Sequence, residues 1–86
     1  MQIQYSRKSL KFLKKQPKQV VSRIVSAIQM LADGNPNCDV KAMQGSSHGE
    51  MRLRVGTYRV IYRIDADGQI EILLVLDIGN RGDIYK

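Results

Sequence analysis

Arginine residues alternate along one short segment, and their guanidinium groups are suited to binding phosphate. Arg52 and Arg54 are separated by one residue, and Arg59 follows a Gly56-Thr57 pair. Glycine at the first position of a two-residue loop is typical of a type II′ β-hairpin. In such a hairpin Arg54 lies opposite Arg59, and Arg52 lies on the same side of the sheet. The spacing therefore predicts three guanidinium groups gathered on one face.

This arrangement is unfavourable for strands with a purely structural role. Like charges directly opposite one another on paired strands are destabilising, by up to roughly 1 kcal/mol. No acidic residue on the two strands is placed to neutralise the three arginines, so we favour a phosphate-binding face. The alternative is an exposed face on which long side chains splay into water at little cost.

Other candidate residues lie near the end of the sequence. Arg81 falls in a glycine-flanked loop, and Tyr85 and Lys86 follow it. The only histidine, His48, falls in a predicted loop, which argues against a serine–histidine–acid set. The lone Cys38 builds neither a disulfide framework nor a cysteine-based zinc site. No metal or cofactor is expected.

The elements that would position these side chains begin with a strand and two helices. Residues 2–5 alternate in polarity, and Ser6 is a candidate N-cap for a helix over 7–16. Pro17 separates this helix from a second one over 18–33. An apolar stripe at three- and four-residue steps defines the second helix; it consists of Val20, Val21, Ile24, Val25, Ile28 and Leu31.

A sheet is predicted for the second half of the chain. The polarity period changes to two after Glu50, and Asp67-Gly68 is a second hairpin signal, with Asp65 and Asp67 as turn formers. The predicted segments are a loop over 35–49 and strands over 51–55, 58–65 and 70–76. We expect one α+β domain spanning 1–86, with an N-terminal strand and a two-helix hairpin packed on one face of a mostly antiparallel sheet.

Length and charge narrow the classes of function. The chain has 86 residues and a net charge of +6, with a sequence pI of about 9.8. A basic domain of this size often binds a polyanion, and the alternatives are an acidic protein partner or a charge that serves only solubility. The longest apolar stretch, at 72–76, is too short to cross a bilayer. We therefore expect a soluble cytoplasmic protein with no membrane partner.

The motifs in this chain resemble those of the RelE/ParE toxin superfamily. Residues 51–62 (MRLRVGTYRVIY) resemble its central motif, Arg-Leu-Arg-Val-Gly-x-Tyr-Arg-Val-Ile-Tyr. Residues 78–86 (IGNRGDIYK) are similar to its ending, Ile-Gly-His-Arg-x-x-Val-Tyr-Arg, and residues 43–45 (MQG) to its Leu-x-Gly step. The resemblance covers nearly the whole chain and implies the toxin of a type II toxin–antitoxin pair.

The RelE branch implies a ribosome-dependent endoribonuclease that cleaves mRNA in the A site without a metal. The 2′-hydroxyl attacks the adjacent phosphate and expels the 5′-oxygen. By similarity, Arg59 and Arg81 hold and neutralise this phosphate, Tyr85 stacks on or deprotonates the nucleotide, and Arg52 assists near the 2′-hydroxyl. Arginine is a poor general base because its pKa lies far above neutrality, so Tyr85 or Lys86 is an alternative base, and mainly electrostatic catalysis another.

Further positions follow from the same resemblance, and two depart from it. Arg54, Arg63 and Lys86 match positions that we assign to contacts with the RNA. Glu50 stands where some members carry lysine, and Asn80 stands where many have histidine. Both departures remove candidate acid–base groups.

The resemblance leaves two alternatives to the nuclease. One is a ParE-like toxin that inhibits DNA gyrase and has no ribonuclease site, and the other is an inactive relic that binds nucleic acid. The presence of Arg59, Arg81 and Tyr85 together favours the nuclease. The implied partners are a cognate antitoxin, the ribosome and mRNA, with operator DNA bound only through the antitoxin.

Overall fold

Two helices pack on a five-stranded sheet in the computed structural model, which describes residues 1–43 and 49–80. The sheet order is β1-β5-β4-β3-β2, with β1 parallel to β5 and the other neighbours antiparallel. The α+β architecture is therefore confirmed. The elements are β1 (Gln2–Tyr5), α1 (Arg7–Lys14), α2 (Lys18–Ala32), β2 (Val40–Ala42), β3 (Met51–Val55), β4 (Tyr58–Asp67) and β5 (Ile70–Asn80).

The start of α1 is anchored to β5 by two serine side chains. Ser6 is the N-cap, as predicted, and its hydroxyl oxygen accepts a hydrogen bond from the Ser9 amide at 3.1 Å. The Ser6 hydroxyl also donates to the Leu76 carbonyl at 2.8 Å, and the buried Ser9 hydroxyl donates to the Val75 carbonyl at 3.2 Å. These bonds hold α1 beside the part of β5 that β1 does not cover.

The hydrophobic core lies between the helices and one face of the sheet. Ile24 and Ile28 of α2 have no exposed surface, as the apolar stripe predicted. They pack in one cluster with inward-facing residues of β3, β4 and β5. Those sheet residues are Leu53, Val55, Val60, Tyr62, Leu73, Val75 and Ile78.

The β3–β4 hairpin has the predicted register. Arg54 pairs with Arg59, and Arg52 pairs with Ile61. Gly56 begins the two-residue turn with a φ of +60°, and no described residue other than glycine has a positive φ. A positive φ at the first turn position alone is the signature of a type II′ turn, whose twist suits a hairpin.

Three parts of the strand prediction were wrong. The segment expected to be a loop contains the short edge strand β2, which pairs with β3. β4 continues to Asp67, beyond its predicted end at residue 65, so neither Asp65 nor Asp67 forms the turn, which lies at residues 68–69. β5 continues to Asn80, beyond its predicted end at residue 76. Its polarity pattern is interrupted because β5 carries one extra residue, Leu76, between the partners of Ile61 and Tyr62, a β-bulge that shifts the alternation.

Candidate nucleic-acid interface

The sheet face turned away from α1 and α2, here called the open face, carries a group of cations. Strand alternation puts them there, because the residues between them on β3 and β4 point into the core. A lysine on β2 joins them opposite Arg52. The cations on the open face are Lys41, Arg52, Arg54, Arg59 and Arg63.

The strand register arranges the cations in rows across the sheet. One row runs from Arg54 through Arg59 to Gly79. Gly79, which pairs with Arg59, is itself buried. The neighbouring row runs through Lys41, Arg52 and Ile61 to Asp77 of β5.

Arg59 differs from the other cations on this face in its burial. Its side chain is only 5% exposed, whereas Arg54 is exposed and Arg52 is half-buried. Ile61, two residues along β4, is equally buried but lies outside the core cluster, so it lines the open face beside Arg59. Charged side chains are seldom so buried. An exposed face on which every long side chain splays into water therefore does not describe Arg59.

Two carboxylates pair with cations of the open face, and the one that pairs with Arg54 lies outside β3 and β4. The Arg54 Nε lies 3.9 Å from Asp39 Oδ2, and the Arg54 amide donates to the Asp39 carbonyl at 2.9 Å. Arg63 Nε donates to Asp65 Oδ2 at 3.3 Å on the same strand. Asp39 precedes β2, and the missed strand explains the missed pair. Ion pairs as exposed as these add little stability.

A further cation near this site was not predicted. The guanidinium group of Arg23, on α2, lies against the β3–β4 turn: a Cβ built on Gly56 would come within 3.1 Å of Arg23 Nη2 and 3.4 Å of its Cζ. The turn is separated from the Arg54–Arg59 pair by one pair of residues, Val55 and Tyr58, so a helix contributes positive charge close to that pair. No sequence signal indicates this contact, because Arg23 reads as an ordinary polar position of an amphipathic helix.

Several predicted site residues lie outside the described part of the chain. These are His48, Arg81, Tyr85 and Lys86, together with most of the 43–45 motif, and their proposed roles stay predictions. Asn80 is described: it ends β5, pairs with Tyr58 and is exposed. Glu50 immediately precedes β3 and is half-buried.

Tyr62, the last tyrosine of the central motif, lies in the hydrophobic core. Tyr62 is 3% exposed and belongs to the core cluster, and burial, with a smaller effect from nearby Cys38, raises its pKa above the ordinary value. Burial likewise raises the pKa of Tyr5. Both hydroxyls therefore stay protonated at neutral pH.

Within residues 1–43 and 49–80, no three His, Cys, Asp or Glu side chains come together as metal ligands. In the same ranges no helix has the length and apolar character needed to cross a membrane.

Similar folds occur in solved toxin structures. The toxin–antitoxin complex RelB–RelE from Methanococcus jannaschii matches with a TM-score of 0.67 and 26% identity, covering 94% of this chain and 93% of that one. The RelE–RelB complex from Pyrococcus horikoshii matches with a TM-score of 0.71 and 23% identity, covering 95% and 96%. The YoeB/ParE toxin from Agrobacterium tumefaciens matches with a TM-score of 0.73 and 20% identity, covering 93% and 98%.

Sequence comparison identifies the family. Among curated proteins, no significant sequence match was found. The family model for the ParE toxin of type II toxin–antitoxin systems matches residues 3–85, which is nearly the entire chain. The motifs on β3, β4 and β5, the helix-on-sheet architecture and this match agree, and the chain belongs to the ParE toxin family, within the RelE/ParE superfamily of type II toxin–antitoxin systems.

Proposed function

We propose that this toxin is a ribosome-dependent endoribonuclease that cleaves mRNA in the A site and thereby inhibits translation. The observation that carries the proposal is the Arg54–Arg59–Gly79 row, in which a buried arginine lies on the face of the sheet opposite the helices. Guanidinium groups bind phosphate through paired hydrogen bonds. An arginine held by its surroundings is oriented before the RNA arrives, which favours stabilisation of charge that develops in the reaction.

The proposed reaction needs positive charge more than it needs a metal. The 2′-oxygen attacks the neighbouring phosphorus, and its proton passes to a base. The bond to the 5′-oxygen then breaks, and this oxygen receives a proton, leaving a 2′,3′-cyclic phosphate and a 5′-hydroxyl. In this scheme Arg59 and Arg81 neutralise the phosphorane, and Arg52 acts near the 2′-hydroxyl. Tyr85 stacks on the nucleotide or serves as the base.

The remaining cations extend the RNA surface in this proposal. Arg54, Arg63 and Lys86 would contact the RNA backbone beside the scissile phosphate. Arg23 would add a contact at the β3–β4 turn, from the helix layer. Phosphate contacts of this kind position the strand without reading its sequence.

The partners follow from the family and from the proposed reaction. The similar toxins from M. jannaschii and P. horikoshii were crystallised with RelB antitoxins, and we propose a cognate antitoxin for this chain as well. Its other partners would be the ribosome and mRNA in the cytoplasm. Operator DNA would be bound through the antitoxin.

Inhibition of DNA gyrase is the second candidate function. It is favoured by the family match, whose model describes ParE toxins. A gyrase inhibitor would need no scissile-phosphate site, so removal of single open-face cations would leave its toxicity largely intact.

The test is induced expression in cells, followed by primer extension on an abundant mRNA. Wild type is compared with Arg81→Ala and Arg52→Gln, and with Lys18→Gln as a control that removes a cation elsewhere. Melting temperatures establish that each purified variant is folded. Cuts inside translated codons that persist in Lys18→Gln and vanish in the other two variants are expected. Growth arrest without cuts, together with loss of supercoiling activity, would instead identify a gyrase inhibitor.

A further inference from the structure

The β-bulge at Leu76 decides which face of the sheet the next side chain of β5 reaches. Val75, before the bulge, belongs to the core cluster, and so does Ile78 after it. An unbroken alternation from Val75 would turn Asp77 into the core as well. The extra residue instead turns Asp77 to the open face, where it pairs with Ile61. The bulge therefore delivers a carboxylate to the face that carries the arginines.

Asp77 lies beside the cations of the proposed cleavage site. It shares a row with Arg52, and the buried Ile61 lies between them. Two interstrand spacings separate the backbones of Asp77 and Arg52 by about 10 Å. Asp77 is also two residues from Gly79, the strand partner of Arg59. Diagonal neighbours of this kind lie about 7–8 Å apart, within reach of a long side chain.

The helix layer holds one oxygen of the Asp77 carboxylate. Lys8 Nζ, on α1, lies 3.3 Å from Asp77 Oδ2, and the two side chains are 75% and 26% exposed. An ion pair with so exposed a lysine adds little stability, so stability does not explain why a carboxylate stands here. A carboxylate accepts hydrogen bonds through two oxygens, and the pair with Lys8 engages one of them.

We propose that Asp77 is the general base of the cleavage reaction, an inference that rests on the proposed nuclease function. Arg52 is assigned to the 2′-hydroxyl, so a ribose that lies across Ile61 is within reach of both Arg52 and Asp77. A carboxylate accepts a proton at neutral pH, whereas the guanidinium groups around it do not. The family motif has histidine where this chain has Asn80, and Asp77 supplies a base from another position of the same strand.

The proposed step balances with water as the other reactant. Asp77 takes the proton of the 2′-hydroxyl as the 2′-oxygen forms its bond to phosphorus. Arg59 and Arg81 neutralise the phosphorane, as in the scheme above. The bond from phosphorus to the 5′-oxygen then breaks, and this oxygen takes a proton from water. Protonated Asp77 returns its proton to the hydroxide that remains. In this scheme Tyr85 stacks on the nucleotide and is not the base.

Single-turnover cleavage of mRNA on purified ribosomes tests the base. Asp77→Asn keeps the shape of the side chain and removes its basicity, and it is expected to lower the cleavage rate by about 100-fold or more, with ribosome affinity within about threefold of wild type. Asp77→Glu restores a carboxylate and should recover at least about tenfold of this loss. Asp65→Asn makes the same change at a carboxylate that pairs with Arg63, and it should cleave at the wild-type rate.

Lys8→Gln separates catalysis from the ion pair. It breaks the contact with Asp77 Oδ2 but keeps the carboxylate, so it should lower the cleavage rate by about tenfold at most. Melting temperatures establish that each variant is folded. Equal losses of cleavage in Lys8→Gln and Asp77→Asn would give Asp77 a structural role and overturn the proposal.

The same assay distinguishes failure of this proposal from failure of the nuclease proposal. If wild type and Asp77→Asn cleave at the same rate, Asp77 is not the base and the nuclease proposal stands. If Asp77→Asn loses ribosome affinity as well as cleavage, and Asp77→Glu recovers neither, the carboxylate acts in binding and the base proposal is overturned. If wild type leaves the mRNA intact, both proposals fail.

Discussion

At the scale of single residues, position on a face could be predicted and burial could not. Strand alternation and a glycine turn were enough to put Arg52, Arg54 and Arg59 on one face, because the side-chain period of a strand is fixed. The sequence does not distinguish the buried Arg59 from the exposed Arg54, since burial depends on what covers each row of the sheet. Arg23 was missed for a similar reason: its contact with Gly56 joins two distant elements.

Alanine substitution at two glycines is expected to separate backbone strain from crowding by Arg23. Gly56 and Gly68 each begin a two-residue turn, with φ of +60° and +65°. A Cβ at Gly56 would meet the Arg23 guanidinium at 3.1 Å, but a Cβ at Gly68 would meet nothing within 4 Å. Both substitutions should lower the free energy of unfolding by about 1 kcal/mol or more, because L-residues disfavour positive φ.

The difference in unfolding free energy between Gly56→Ala and Gly68→Ala measures the effect of the contact with Arg23. Urea unfolding should show a larger loss of unfolding free energy for Gly56→Ala than for Gly68→Ala. Adding Arg23→Ala to the Gly56→Ala variant should remove this difference. Equal losses would indicate that the flexible guanidinium simply moves aside.

Tyr62 gives the toxin a predictable alkaline instability. Burial raises the pKa of its hydroxyl in the folded state, whereas in the unfolded state the pKa stays near 10.0. Above pH 10 the Tyr62 hydroxyl loses its proton in the unfolded state but keeps it in the folded state. The free energy of unfolding is therefore unaffected by this group below pH 10 and decreases as the pH rises further. Unfolding between pH 8 and 11 should show this loss in wild type and a smaller loss in Tyr62→Phe. Parallel curves would contradict the assignment.

At the scale of elements, helices and strands with a regular polarity pattern could be predicted from the sequence, whereas a very short strand and a strand with a β-bulge could not. The two helices, the N-cap at Ser6 and the β3–β4 hairpin were predicted because each has a strong local signal. β2 was missed because a three-residue edge strand forms only where a partner strand offers its edge. The predicted β5 ended too early because the bulge at Leu76 breaks the alternation of polarity. A bulge depends on the pairing of two strands, so one strand's sequence does not reveal it.

The bulge and the first helix should depend on a single hydroxyl. Ser6 both caps α1 and donates to the carbonyl of Leu76, the extra residue of β5. Ser6→Ala is therefore expected to lower the free energy of unfolding by about 1–2 kcal/mol, at the upper end for a helix cap. Ser22→Ala, at an exposed position of α2, should change it by less than about 0.5 kcal/mol. Thermal denaturation of the two variants would measure the difference, and equal stability would show that the bulge does not need this bond.

At the scale of the whole molecule, two cationic surfaces lie on different layers. The open face belongs to the sheet, and a second basic surface, with Arg7, Lys11 and Lys14, belongs to α1, with the core between them. Overall charge indicated a polyanion or an acidic partner without separating the two. The excess charge lies in the first 32 residues, which contain seven of the 14 lysines and arginines and no aspartate or glutamate.

The parallel pairing of β1 with β5 also affects when the toxin becomes dangerous to the cell that makes it. Gln2 pairs with Ile72, and the α1 cap needs the carbonyls of Val75 and Leu76. Residues that leave the ribosome early must wait for partners that leave late, and such distant contacts form slowly. The helical hairpin, with its local contacts, can form before the sheet closes. An antitoxin that binds the nascent chain in this interval acts before the open face is assembled, so that synthesis and neutralisation overlap in time.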